Sequence, residues 1–277
     1  MTEVRHVAVD GGTLAVELRA GTTAPVLAIH GVSSNARLWN WLHAAAPDLT
    51  LVAPDLRGRA GSFDVGGPYS LEQHALDMLA VLDAFALDRV TVCGMSMGAF
   101  VAVTLALHSP DRVHDLVLVD GGFPMAADGL TPDAVRAAFA PQASRRDRSF
   151  ADVDAYRDFF LAGPTLLDAA DPLLTDYLAH DLGDDGRVRL AREAVLADAV
   201  DTLLHPPPWQ QLTVPTRLLT AQWSVGPDSA PAYPEAAVAQ FRAGLPALES
   251  AQQVAGVDHA TSIMSARGAD AVRALLT

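Results

Sequence analysis

Residues 94–98 read Gly-Met-Ser-Met-Gly, and the serine at their centre has the surroundings of a catalytic nucleophile. A serine hydroxyl attacks a carbonyl carbon only when a base removes its proton and its oxygen stands clear of the backbone. Gly94 and Gly98 allow a sharp, strained turn, because they lack the Cβ atoms that would clash. The spacing therefore predicts that Ser96 is the nucleophile of an acyl-transfer reaction.

A base and an acid must accompany such a serine. His259 is the best candidate base among the nine histidines, because it follows the serine in the chain and lies between the last predicted strand and the last predicted helix. Two carboxylates could orient its ring: Asp120 ends one predicted strand, and Asp228 lies in the loop after the next. Asp120 is slightly favoured and Asp228 stays the alternative, while Asp258 points elsewhere in any regular geometry.

The oxyanion of an acyl-transfer intermediate needs backbone N–H groups that face it. Met97, directly after the nucleophile, is predicted to supply one, and Val32 is predicted to supply the other. Gly31 follows an apolar strand and lets the backbone approach closely. His30 is predicted to order this loop rather than to take part in the chemistry.

The elements that position these residues alternate between strands and helices. Strand Arg89–Cys93 leads into the serine turn and helix Ala99–Leu107 follows it, which makes the five-residue pattern far more specific than it is alone. Between residues 123 and 211 the alternation stops and helical periodicity replaces it. The sequence therefore predicts an α/β core of residues 1–122 and 212–277, interrupted by a helical cap of residues 123–211.

Hydrophobic periodicity also sets the predicted helix bounds. In the core, helices are predicted over Ala36–Ala46, Leu71–Phe85 and Thr261–Leu276. In the cap they are predicted over Pro132–Phe139, Phe150–Leu161, Pro172–His180 and Arg189–Leu203.

A substrate pocket is expected between the core and the cap. Five large side chains flank the catalytic loops and could line it, although packing in the core explains each of them about as well: Trp39, Phe123, Met125, Trp209 and Trp223. An apolar lining favours a small-molecule substrate with a hydrophobic acyl or alcohol group. Within the cap, the cluster Arg145-Arg146-Asp147-Arg148 is predicted to be solvated surface. His180 is also predicted to lie at the surface, with contact to the substrate as the alternative.

Composition argues against several classes of protein. The net charge of −14 is wrong for binding nucleic acid or anionic membranes, because both need a basic surface. No run of about 18 or more apolar residues predicts a transmembrane helix, and the first residues have no leader pattern. The single cysteine, Cys93, is predicted to be a small buried hydrophobe, and the protein is predicted to be cytoplasmic.

Four motifs together resemble the α/β-hydrolase superfamily, in its serine esterase or lipase-like branch with a helical cap. They are His30-Gly31, the segment Asp55–Ser62, Gly94–Gly98 and Asp258-His259. The resemblance spans the whole chain. It implies an α/β fold with a mostly parallel eight-stranded sheet flanked by helices, an inserted helical cap, and no cofactor or metal.

The chain departs from the superfamily's pattern at two positions. Many relatives have a histidine where this chain has Met95, a change expected to alter packing behind the turn rather than catalysis. The usual register of the acid falls on Ser224, which cannot serve. A longer loop could bring in Asp228 instead, or the acid could follow the sixth strand, as in pancreatic-type lipases, where Asp120 lies.

These observations predict a serine hydrolase that cleaves a carboxylic ester, thioester or lactone through an acyl-enzyme on Ser96. The same site could instead run a biosynthetic cyclisation, C–C bond hydrolysis or cofactor-free perhydrolysis, because the fold does not decide among them. A ligand-binding protein on a hydrolase scaffold is the alternative from another class, and the presence of both Ser96 and His259 argues against it.

Overall fold

The structure, a computed structural model, describes residues 2–126 and 129–276. Met1 and Thr277 of the predicted core, and residues 127 and 128 of the predicted cap, lie outside this range. In chain order the strands are β1 (Thr2–Val9), β2 (Gly12–Arg19), β3 (Pro25–Ile29), β4 (Thr50–Pro54), β5 (Val90–Met95), β6 (Val113–Val119), β7 (Thr216–Trp223) and β8 (Leu248–Asp258).

These strands form one eight-stranded sheet in the order β1-β2-β4-β3-β5-β6-β7-β8. The β1–β2 hairpin and the β2–β4 pair are antiparallel, and the remaining pairs are parallel. The predicted mostly parallel sheet of an α/β fold is therefore confirmed. The parallel strands β3, β5, β6 and β7 end at the same edge of the sheet, where binding sites of such folds are found.

Helices cover both faces of the sheet and form an insertion between β6 and β7. The helices of the core are α1 (Asn40–Ala45), α2 (Leu71–Ala84), α3 (Met97–His108), α8 (Glu235–Gly244) and α9 (Ala266–Leu276). The helical insertion consists of α4 (Pro132–Ala143), α5 (Val153–Phe160), α6 (Pro172–Asp181) and α7 (Arg192–Leu204). Among the described residues, no helix is both long enough and apolar enough to cross a bilayer.

Two predicted helices of the core begin later than expected, and so do the cap helices predicted from Phe150 and Arg189, which begin at Val153 and Arg192. The predicted helix over Ala36–Ala46 starts as a 3-10 turn, Ala36–Trp39, before α1. The last helix was predicted from Thr261 but begins at Ala266, because the Asp258 carboxylate accepts the Thr261 N–H at 2.9 Å and holds a separate turn. Side-chain hydrogen bonds to the backbone compete with helix in this way, and apolar periodicity does not register them.

Each face of the sheet has its own hydrophobic core. Alternate residues of β3 supply the two sides: Leu27 and Ile29 pack into one cluster, and Val26 and Ala28 pack into the other. The second cluster continues from α1 and α9 into the insertion, where it includes Leu178. The insertion is therefore packed on the core through apolar contacts.

A buried ion pair fixes the segment between β4 and α2. The Arg57 guanidinium donates through Nε and Nη2 to both carboxylate oxygens of Asp77 at 2.7 Å, and it also donates to the carbonyl of Gly66. The side chains of the pair are 0% and 1% exposed. Removal of one partner would leave the other charge buried without compensation, which destabilises a protein strongly.

We therefore expect Asp77→Ala to lower the free energy of unfolding by about 3–5 kcal/mol. Asp83→Ala, on the same helix, removes an exposed ion pair with Arg112 and should change it by less than about 1 kcal/mol. Urea denaturation of the two variants makes the comparison. Equal losses would contradict the structural role assigned to the Arg57–Asp77 pair.

Candidate active site

Ser96 occupies a strained turn between β5 and α3. Its backbone has φ 56° and ψ −126°, a combination that residues other than glycine rarely adopt. The Ser96 N–H donates to the carbonyl of Val119 at 2.9 Å, which ties the turn to the neighbouring strand. A Cβ at Gly31 would lie 3.2 Å from Ser96 Cβ, so the loop after β3 passes directly beside the serine.

His259 and Asp120 meet at the same edge of the sheet. Asp120 follows β6, and its Oδ2 lies 2.6 Å from His259 Nδ1, which follows β8. The other carboxylate oxygen, Oδ1, accepts the backbone N–H of Ala221 at 3.0 Å. Asp120 is 2% exposed, whereas about a third of the His259 side chain is exposed. The carboxylate is thus buried and anchored, and the ring faces the open side.

The surroundings of His259 favour its charged form. Burial lowers the pKa of His259, but the hydrogen bond and the negative charge of Asp120, with a further contribution from Asp258, outweigh it. The pKa of His259 is therefore raised above its usual value. A carboxylate in this position stabilises an imidazolium and keeps the proton of the neutral ring on Nδ1.

The other two carboxylates considered from the sequence do not contact the histidine ring. Asp228 is exposed in the turn after β7 and adopts φ 68°. Asp258 accepts the N–H of Gly226 at 3.0 Å and the hydroxyl of Thr261 at 2.6 Å. The structure brings Asp120, and neither of these, into hydrogen-bond distance of His259.

The loop after β3 is held by buried side chains of the core. His30 Nε2 accepts the N–H of Leu56 at 3.0 Å, so the ring proton is on Nδ1, which donates to the carbonyl of Gly31 at 2.8 Å. Burial lowers the pKa of His30 to about 4, which keeps the ring neutral. His30 thus orders the loop, as the sequence predicts. Arg59 donates twice to the carbonyl of Val32, at 3.0 and 2.7 Å.

A cavity of about 410 Å³ opens at this edge, between the core and the insertion. Ser96, His259, Asp120 and Val32 all line it. Most of the wall is apolar, and its larger members include Met95, Phe100, Met125, Phe139, Phe160 and Leu203. Among the described residues, no arginine lines the cavity, and the chain has no lysine.

Of the five predicted lining residues, Met125 alone is in the cavity wall. Trp39 is 0% exposed and belongs to the hydrophobic core that includes α1 and α9, which corrects its prediction. Phe123 and Trp209 are also corrected, because their rings pack on each other and on Phe241 in the opposite core. Trp223 belongs to the end of β7, and its neighbours Ser224 and Val225 line the cavity instead.

Two further expectations for the cap are corrected. His180 is not free surface, because its Nε2 lies 2.8 Å from the buried Asp55 carboxylate. Arg145 of the basic cluster is 5% exposed and bonds to the loop after β3. The sequence reasoning also missed the lining residues Phe139, Phe160 and Leu203. The apolar stripes of the predicted cap helices were the available signal for them.

Comparisons with known proteins identify the family to which the chain belongs. A family model described as the alpha/beta hydrolase family matches residues 26–275, and the chain therefore belongs to that family. Lipase LipV of Mycobacterium tuberculosis is 34% identical over 149 residues, 49% of this chain and 56% of LipV. An uncharacterised protein of the same organism is 36% identical over 115 residues, 41% of this chain and 32% of that protein.

A solved structure extends the comparison to the whole fold. E-2-(acetamidomethylene)succinate hydrolase superposes with a TM-score of 0.82 at 22% identity, over 99% of this chain and 98% of that one. This likeness shows the fold. The curated relatives, by contrast, are matched over only about a third to just over a half of their own length.

We expect Asp120→Asn to lower the pKa of His259, because the amide removes the charge that favours the imidazolium. Asp228→Asn, at the exposed alternative, should leave that pKa unchanged. NMR titration of the histidine ring signals, assigned with a His259→Gln variant, measures both effects. A shift in the Asp228→Asn protein alone would transfer the role of the acid to Asp228.

Proposed function

We propose that this protein is a serine hydrolase that cleaves a carboxylic ester, thioester or lactone through an acyl-enzyme on Ser96. One observation carries the proposal. A serine on a strained turn shares a cavity with a histidine whose Nδ1 lies 2.6 Å from a buried carboxylate. Nucleophile, base and orienting acid are the three groups that acyl transfer to a serine requires. The lipase named among the relatives is consistent with this chemistry.

The proposed reaction begins when Ser96 Oγ attacks the carbonyl carbon and gives its proton to Nε2 of neutral His259. Asp120 holds the Nδ1–H tautomer and stabilises the imidazolium that forms. The tetrahedral intermediate then collapses, and the imidazolium gives its proton to the departing alkoxide or thiolate. A water molecule attacks the acyl-enzyme by the same route, which releases the carboxylic acid and restores Ser96.

The negative charge of the intermediate would fall on the carbonyl oxygen, where we propose that the N–H groups of Val32 and Met97 bind it. Met97 is the first residue of α3, and the first N–H groups of a helix have no partner within it. The positive end of the helix dipole adds to the attraction. The close approach of Gly31 to Ser96 supports the choice of Val32, the next residue of the loop, as the source of the second N–H.

The cavity wall supports an uncharged, largely apolar acyl or alcohol group as the substrate's recognised part. A carboxylate in this cavity would lose water without gaining an arginine or lysine partner from the described wall, which is unfavourable. The solved succinate hydrolase of the same fold is named for a substrate with carboxylates. The substrate proposed for this chain therefore differs from that one in lacking a negative charge.

We expect Ser96→Ala to lower kcat on a p-nitrophenyl ester by a factor of about 10³ to 10⁶, because the nucleophile is lost. It should also abolish labelling by a fluorophosphonate probe. Ser224→Ala removes another serine hydroxyl from the same cavity and should keep both properties within a few-fold. Turnover that survives Ser96→Ala would refute the acyl-enzyme mechanism. Ligand binding with no turnover by the wild type would favour the binding-protein alternative.

We also expect kcat/KM for p-nitrophenyl hexanoate to exceed kcat/KM for the p-nitrophenyl hemisuccinate ester by about 100-fold. The succinyl carboxylate would lose its water in the apolar cavity without an arginine or lysine to pair with it. The two acyl groups are similar in length and differ in charge. Steady-state kinetics at low and high salt make the comparison and reveal any contribution of the protein's net negative charge. Equal values would show that the apolar wall does not select the acyl group.

A further inference from the structure

The loop that would supply the Val32 N–H is bound from the helical insertion as well as from the core. The Arg145 guanidinium, in the turn after α4, donates through Nη2 to the carbonyl of Ser33 at 2.6 Å. Asp181, the last residue of α6, accepts from the Asn35 side-chain amide at 2.8 Å. The Tyr177 hydroxyl lies 3.1 Å from that of Ser34.

Arg145 and Asp181 form one buried polar cluster. The Tyr156 hydroxyl accepts from Arg145 Nη1 at 2.9 Å and donates to Asp181 Oδ2 at 3.2 Å, and the charged atoms of the ion pair lie 3.9 Å apart. Arg145 is 5% exposed, Asp181 is 3% exposed and Tyr156 is fully buried. Two buried charges bound in this way resist displacement, because moving either would leave the other uncompensated.

The geometry of the peptide bond carries this restraint to the N–H of Val32. The N–H belongs to the planar peptide between Gly31 and Val32, so its direction is opposite to that of the Gly31 carbonyl. The Ser34 N–H donates to this carbonyl at 3.2 Å and closes a tight turn over residues 31–34. Arg145 binds the Ser33 carbonyl within the turn, and Asp181 binds the side chain of Asn35, the residue that follows it.

We propose that Arg145 and Asp181 are positioning residues that hold the turn over residues 31–34 so that the Val32 N–H faces the oxyanion. The proposal rests on the proposed function and deepens it: the helical insertion sets the rate of the reaction as well as enclosing the substrate. Neither side chain lines the cavity: Arg145 acts through the backbone carbonyl of Ser33, and Asp181 acts through the side-chain amide of Asn35 and through Arg145. A donor displaced by a fraction of an ångström binds the transition state less well while substrate binding changes little.

The test compares Arg145→Met with Arg146→Met, the same change at the adjacent arginine. Arg146 Nη1 lies 3.9 Å from Asp185 Oδ2, and the guanidinium carbon lies 4.8 Å from the centre of the Phe63 ring. Neither contact involves the turn. We expect Arg145→Met to lower kcat on a p-nitrophenyl ester by about 10- to 100-fold, with KM within about threefold of the wild type. Arg145→Lys, which can donate once to the Ser33 carbonyl, should recover part of the loss.

A second readout separates positioning from loss of structure. A trifluoromethyl ketone forms a tetrahedral adduct with an oxyanion, so its inhibition constant should rise by the same factor as KM/kcat across the variants. Circular dichroism checks that each variant is folded. If Arg145→Met does not fold, Tyr156→Phe decides, because it removes only the hydroxyl that joins the pair, and kcat should fall about fivefold.

The outcomes are distinct. Wild-type kcat in a folded Arg145→Met or Tyr156→Phe protein overturns the proposal, and so does an equal effect of Arg146→Met. A rise in KM alone also overturns it, because it would assign the cluster to substrate binding. Failure of the proposed function would be seen earlier, as a wild type that neither cleaves esters nor reacts with the ketone at Ser96.

Discussion

The edge of the sheet that carries the candidate active site depends on backbone segments that pass one another with no Cβ atoms between them. A Cβ at Gly94, Gly98 or Gly121 would lie 2.1 to 2.3 Å from a backbone oxygen, far inside van der Waals contact. The left-handed conformation of Ser96 costs on the order of 1–3 kcal/mol. It persists because the packing of the surrounding strands and α3 fixes the backbone of the turn. These close backbone contacts together position the Ser96 hydroxyl, the N-terminus of α3 and the end of β6.

The electrostatics of the edge follow from the position of one carboxylate. Asp120 closes β6 and is compensated by a backbone N–H from β7 and by the histidine ring, so the buried charge has partners on both oxygens. Under the proposed assignment of Asp120, the loop after β7 does not supply the acid, and its residues Ser224 and Val225 line the cavity. The insertion contributes apolar side chains to the cavity and, from the turn after α4 and the end of α6, a buried ion pair that contacts the loop after β3.

The sequence predicted the sheet and the placement of Ser96 and His259 in the fold because their signals are local: a five-residue turn between strand and helix, and a histidine in the loop before the last helix. The choice between Asp120 and Asp228 could not be made, since it depends on a contact across 139 residues. The aromatic residues predicted to line the cavity do not line it, because a ring near the candidate active site can pack into a hydrophobic core instead. Trp39 is fully buried in this way. The prediction that Arg145 is solvated was wrong because it rested on the neighbouring charges in the sequence. Its partner Asp181 lies on another helix, and a local charge pattern does not reveal such a pair.

A crystal structure of the protein after reaction with a fluorophosphonate tests the central claim most directly, because the adduct mimics the tetrahedral intermediate. The account predicts phosphorus bonded to Ser96 Oγ, with the phosphonyl oxygen about 2.7–3.1 Å from the backbone nitrogens of both Val32 and Met97. His259 would remain bonded to Asp120 in that adduct. Phosphorus attached to another residue, or a phosphonyl oxygen directed to solvent and away from both nitrogens, would contradict the account.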